Sequence, residues 1–204
     1  MFWGSKFSWV LLLIAIAGDY VVAYALALFY PHYSHTRQVM SVLGNRKSPV
    51  ATLYNIWLVV LGILMSISAI NFYMVYTHAL AGAIILGIFG IGAGILSGLF
   101  SVNETREEET TASKIHGIGA GVGFMALTIM PLVVSFLSFR CGDSTIGIAS
   151  MVFFVLSIAL FALFIMSERE RFRGTIIGLT GLWQRLLLAS MYMPLFFIAI
   201  KHMM

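Results

Sequence analysis

Charge is scarce in this sequence. Lys and Arg number 12 and Asp and Glu 8, or 10% of 204 residues, where a soluble domain carries about a quarter. Cysteine is almost missing: Cys141 stands alone, which excludes an internal disulfide and any cysteine-based metal cage. The net charge of +4 is small and dispersed, so a nucleic-acid partner is excluded, and the basic residues read as topology signals. No Lys-Ser/Thr follows the glycine-rich stretches and no strand precedes them, so they are not a phosphate-binding loop.

What the chain has instead is apolar length. It is 60% hydrophobic with a mean hydropathy of +0.98, in continuous runs of about twenty residues rather than the alternating ten-residue segments of a barrel. The pattern predicts an all-α, polytopic membrane bundle of six transmembrane helices forming one domain over 1–204, with spans near 7–30, 51–76, 79–100, 114–139, 146–166 and 175–200. The first span is read as a membrane helix and not a cleaved leader, because Asp19 interrupts it and no small-x-small site precedes a polar region. The segment 31–49 is long for a bundle turn and is expected to fold over one membrane face. The fifth span, apolar throughout, is expected to be the most lipid-exposed.

Both the third and the fourth span contain Gly-Ile-Gly-Ala-Gly, at Gly90–Gly94 and Gly117–Gly121. GxxxG spacing lets helix backbones touch in lipid, so these faces are expected to join helices or copies of the chain. The loops bearing Arg37, Arg46, Lys47, Arg106, Lys114, Arg169, Arg171 and Arg173 outweigh the opposite side with Lys6, Arg140 and Lys201. That imbalance puts those loops in the cytoplasm and both termini outside.

Two ionisable groups lie within the spans, Asp19 in the first and Arg185 in the sixth. Intramembrane charge is costly and marks a site or a structural pair. With the sixth helix starting near Thr175, Arg185 sits about 15 Å deep and Asp19 about 16 Å from the same face. An ion pair between them is therefore expected, in stripes of small residues that include Gly174, Gly178 and Gly181. Asn55, His116 and Gln184 fall nearer that face, and Tyr33 and Ser34 of the first loop stand at its mouth. Together they make a candidate ligand-binding set: Asp19, Tyr33, Ser34, Asn55, His116, Gln184 and Arg185.

No metal or other cofactor is expected. His32 and His35 have no third ligand near in sequence, and His78 and His116 lie at opposite faces, unlike the facing histidines of a b-type haem site. Ser34, His116 and Asp19 form no catalytic triad that the sequence supports, since Asp19 is too deep and there is no nucleophile elbow. The preferred reading is a protein that binds, senses or moves an amphiphile, a lipid or isoprenoid head group, with Arg185 on an anionic group. Its rivals are an intramembrane lipid-modifying enzyme using His116 or Asp19 as acid/base, and a structural subunit of a membrane complex.

Gly18-Asp19, Pro31-x-Tyr33-Ser34, Ser41-x-Leu43-Gly44, Pro49 with Asn55 downstream, and Gly181-Leu-x-Gln184-Arg185 carry a resemblance to a catalogued family of bacterial and archaeal integral membrane proteins, domain of unknown function 998. The resemblance spans nearly the whole chain. It implies a compact bundle of about six helices in the cytoplasmic membrane and supplies no activity.

Overall fold

A computed structural model describes residues 2–76, 79–103 and 110–204. The turn expected at Thr77 and His78 and the acidic stretch 104–109, with Arg106, lie outside the described residues. Six helices are long and apolar enough to cross a membrane: α1 (Lys6–Ala27), α2 (Ala51–Val75), α3 (Leu80–Leu99), α4 (Thr111–Arg140), α5 (Ser144–Ser167) and α6 (Thr180–Met203). Polar side chains start three of them. Ser5 caps α1, Thr110 and Ser113 close a capping box on α4, and Asp143 Oδ1 accepts from Ile146 N at 3.0 Å on α5, satisfying amides that lipid cannot.

Neighbours in sequence pack as neighbours in space, and α1 and α6 meet to close the ring. Lipid tails are as apolar as leucine, so contact between these helices comes from close packing and hydrogen bonds. Both are visible. Trp9, Leu12, Tyr54, Leu61, Phe72 and Phe89 are buried in the interior, Ser157 and Ser190 share a 2.8 Å hydrogen bond between α5 and α6, and Ser135 Oγ donates to Gly147 O across α4 and α5. The span in α5 is the least buried of the six, as its unrelieved apolarity indicates.

In α3 the backbone widens to a π-helical turn over Gly90–Leu96. The glycines permit it, and it presses α3 on α2: a Cβ on Gly90 or Gly94 would strike Gly62, and one on Gly98 would strike Asn55 and Val59. Only the first ladder of glycines is used this way. The expected second contact face, Gly117 and Gly121, meets nothing within 4 Å, and α4 instead touches α3 through Gly119 and Gly123.

The last helix starts five residues later than the hydropathy indicates. Residues 175–179 are apolar enough to continue a span, but Gly174 takes φ +81, Gly178 N bonds back to Thr175 O, and α6 begins at Thr180. Gly174 and Gly178 therefore belong to the connection. The correction matters because it raises Arg185 to about 8 Å below the helix start, while Asp19 lies about 12 Å from the end of α1 at Ala27.

Candidate functional site

Arg185 and Asp19 are both buried, 6% and 3% exposed, and they do not pair. Helical side chains lean toward the N-terminus of their own helix. On the antiparallel α1 and α6 that lean carries Arg185 up toward the membrane face and Asp19 down, away from it. Each then finds its own partners.

The first loop folds inward to meet the guanidinium. Arg185 Nη1 donates to His35 O at 2.6 Å, Gln38 O at 3.1 Å and Gly181 O at 2.9 Å, and Nη2 donates to Tyr33 Oη at 2.8 Å. Among the described residues this buried cation is held by carbonyl dipoles, a phenol and, at 3.4 Å, the His35 Nδ1, with no ion pair. Gly181 is what lets the loop come so close, because a Cβ there would occupy the space of the His35 and Gln38 carbonyls. Leu182 N donates to Thr36 O and Gln184 Oε1 accepts from Met40 N at 2.7 Å, so the loop is stitched to the first turns of α6. Burial lifts the Tyr33 phenol above its ordinary value, opposed by the Arg185 charge, whereas burial and then that same charge push the His35 imidazole down. The His35 ring stacks 4.4 Å from Tyr24, and its Nδ1 lies 3.4 Å from Arg185 Nη2.

Below this clamp Asp19 Oδ2 accepts from Tyr192 Oη at 2.9 Å. The Trp57 indole N–H is the other donor beside the carboxylate, but it finishes outside hydrogen-bonding geometry. Tyr192 stands seven residues beyond Arg185 on the same face of α6, and its ring leans back to the level of Asp19. Asp19 lines an interior cavity of about 50 Å³ together with Ser41, Tyr54, His116 and Gln184. His116 is 5% exposed, and its Nδ1 lies 3.1 Å from Ser97 O and 2.9 Å from Phe100 O at the end of α3. Carbonyls only accept, so Nδ1 carries the proton, and in the neutral ring Nε2 keeps its lone pair. Gln184, its oxygen taken by Met40, has its amide N–H₂ to offer.

Outside the cavity lies an open groove of about 920 Å³ between the first half of α4 and the last turns of α5. Its walls are apolar, with Gly117, Gly121 and Met125 on α4 facing Phe161, Phe164 and Ile165 on α5, and its rim carries Lys114 and Glu168. Groove and cavity share Ser41, His116, Ala120, Phe124 and Gln184. These shared residues are the neck: the trough lies on one side, and on the other a small cavity, walled mainly by apolar side chains, in which Asp19 is the charged group.

Three of the sequence-predicted residues, Asp19, His116 and Gln184, thus line one chamber. Arg185 and Tyr33 form the clamp above it. Ser34 and Asn55 serve elsewhere: Ser34 bonds Gln38 and Thr36 within the loop, and Asn55 Nδ2 ties Gly44 O to Ser101 Oγ. Sequence reasoning missed Ser41, Tyr54 and Tyr192. Two carried a usable signal: Ser41 through its place in the Ser41-x-Leu43-Gly44 motif, and Tyr192 through its helical spacing from Gln184 and Arg185. Among the described residues no group of three or more His, Cys, Asp or Glu is placed to hold a metal.

The sequence model of the family described as Protein of unknown function (DUF998) matches residues 13–201. No curated protein and no solved structure matches the chain.

Proposed function

The chain belongs to the DUF998 family, whose description assigns no activity, and from its own site we propose that it binds an amphiphile, sensing or moving it within the membrane. The apolar tail lies in the groove between α4 and α5, and the polar head enters the neck at Ser41, His116 and Gln184. One observation carries this reading: a trough of about 920 Å³ and the small cavity that holds Asp19 share the same neck residues. Ligand sites commonly combine an apolar pocket of roughly 300–1,000 Å³ with a few convergent polar groups. Arg185 takes a different part from the one its charge suggests, since its two terminal nitrogens are occupied by the loop; it holds Val39, Ser41 and Val42 in place as one wall of the groove.

We further propose that the protein sits in a bacterial or archaeal cytoplasmic membrane with the neck at the inner face. The excess of Lys and Arg in the loops at that face supports this orientation.

The test uses a pyrene-tagged long-chain alkanol and the purified full chain in non-ionic detergent, with binding read by fluorescence anisotropy. A side chain at Gly121 enters open space, so Gly121→Phe fills the trough without displacing a helix. Saturable binding is expected from the unaltered chain, and Gly121→Phe is expected to weaken it about tenfold or more. Equal binding by both proteins rules out the groove.

A further inference from the structure

We propose that the head group taken into the chamber is a primary ammonium, bound as the counter-charge of Asp19. This deepens the amphiphile reading above and rests on it.

The argument starts from which charges face the chamber. Asp19 is the sole charged residue among those that line it, and Arg185 is absent from its walls. A carboxylate 3% exposed, with one phenol hydrogen bond and with Arg185 acting on it only through space and not as an ion pair, is costly in a membrane interior unless something compensates it more closely. The guanidinium is held away from it, with Nη1 and Nη2 bonded to the carbonyls of residues 35, 38 and 181 and to Tyr33, and Nε makes no hydrogen bond to the carboxylate.

The uncharged groups point the same way. Nε2 of His116 keeps a lone pair, the hydroxyl of Ser41 can accept, and neither has a hydrogen-bond partner among the described residues. With the carboxylate they make three acceptors around one small space, where the Gln184 amide is the uncharged donor. An R–NH₃⁺ group is three donors and no acceptor, and an anionic phosphate would find a negative charge and two lone pairs. Tyr54, Phe89 and Phe124 add aromatic walls, whose faces attract a cation.

Size selects among cations. A chamber of about 50 Å³ has room for a few water-sized groups. A primary ammonium fits it and donates to Asp19, whereas a trimethylated one is bulkier and its methyl shell cannot donate. The long chain behind the nitrogen passes through the neck, over Ala120 and beside Phe124, into the groove that shares those residues.

The experiment displaces the pyrene-tagged alkanol from the full chain with dodecylamine, dodecyltrimethylammonium, dodecanol and dodecyl phosphate at neutral pH. Dodecylamine is expected to displace it at a concentration about tenfold below the other three, the advantage of a charge-assisted hydrogen bond in a desolvated site. Asp19→Asn keeps an oxygen for Tyr192 and removes the charge, so the amine-to-alkanol ratio is expected to fall to about one. A phosphate as effective as the amine overturns the assignment, as does an equally effective trimethylammonium, or an amine preference that survives Asp19→Asn. The comparison of the four probes on the unaltered chain decides the question even if the variant does not fold. Absence of any tagged-alkanol binding removes the groove reading and this inference together. Saturable binding that Gly121→Phe weakens, without an amine preference, removes only the inference.

Discussion

The two copies of Gly-Ile-Gly-Ala-Gly are identical in sequence and unlike in use. In α3, added Cβ atoms on Gly90 and Gly94 would run into Gly62 of α2, and one on Gly92 would run into Gly119 of α4. In α4 only the middle residue, Gly119, returns that contact, and Gly117 and Gly121 open onto the groove. A glycine ladder permits close approach; a neighbour has to be there to use it. Helix α3 has α2 on one side and α4 on the other, so both its faces are filled. On α4 the outer face is left unfilled where α5 stands off, and the missing side chains become volume for a ligand.

That contrast can be sharpened or broken at single positions. Gly94→Leu is expected to have the largest effect, since a Cβ there meets the Gly62 backbone and no rotamer avoids it; a loss of about 3 kcal/mol or more, or failure to assemble, is expected in denaturant titration. Gly119→Ala is intermediate. Its Cβ comes to 2.8 Å from Gly92 O, and the strain, partly offset by alanine's better helix propensity, leaves a net loss of about 1 kcal/mol. Gly121→Ala is the mildest: with nothing within 4 Å, stability is expected to stay level or rise by up to about 1 kcal/mol. Equal responses at Gly94 and Gly121 would end the distinction between a packed and a vacant ladder.

Much of the fold was legible because lipid imposes it. Runs of about twenty apolar residues have to be helices, whose backbone groups pair internally, and the six spans appear where hydropathy puts them. The exception is informative. Residues 175–179 are as apolar as a helix start, yet they form turns, with the Trp183 indole N–H donating to Ile177 O at 2.9 Å. Five residues of error moved Arg185 by more than a helical turn and produced the expected pair with Asp19.

The pairing also failed for a reason no residue pattern shows. Three acceptors of Arg185 are backbone carbonyls, two in the first loop and one at Gly181 in α6, and every residue type has one. Sequence could identify that two buried charges exist and that His116 and Gln184 stand near them. It could not identify that a loop would satisfy the cation and leave the anion facing a chamber. The groove was hidden similarly, because Gly117 and Gly121 carry the signature of helix contact and have none.

The clamp on Arg185 also bears on how the protein is made. Its acceptors at residues 33–38 leave the ribosome about 150 residues before the arginine does. Before α6 docks against that segment, its cation has only the Gly181 carbonyl of its own helix. Closing the ring and satisfying that charge are thus one and the same step.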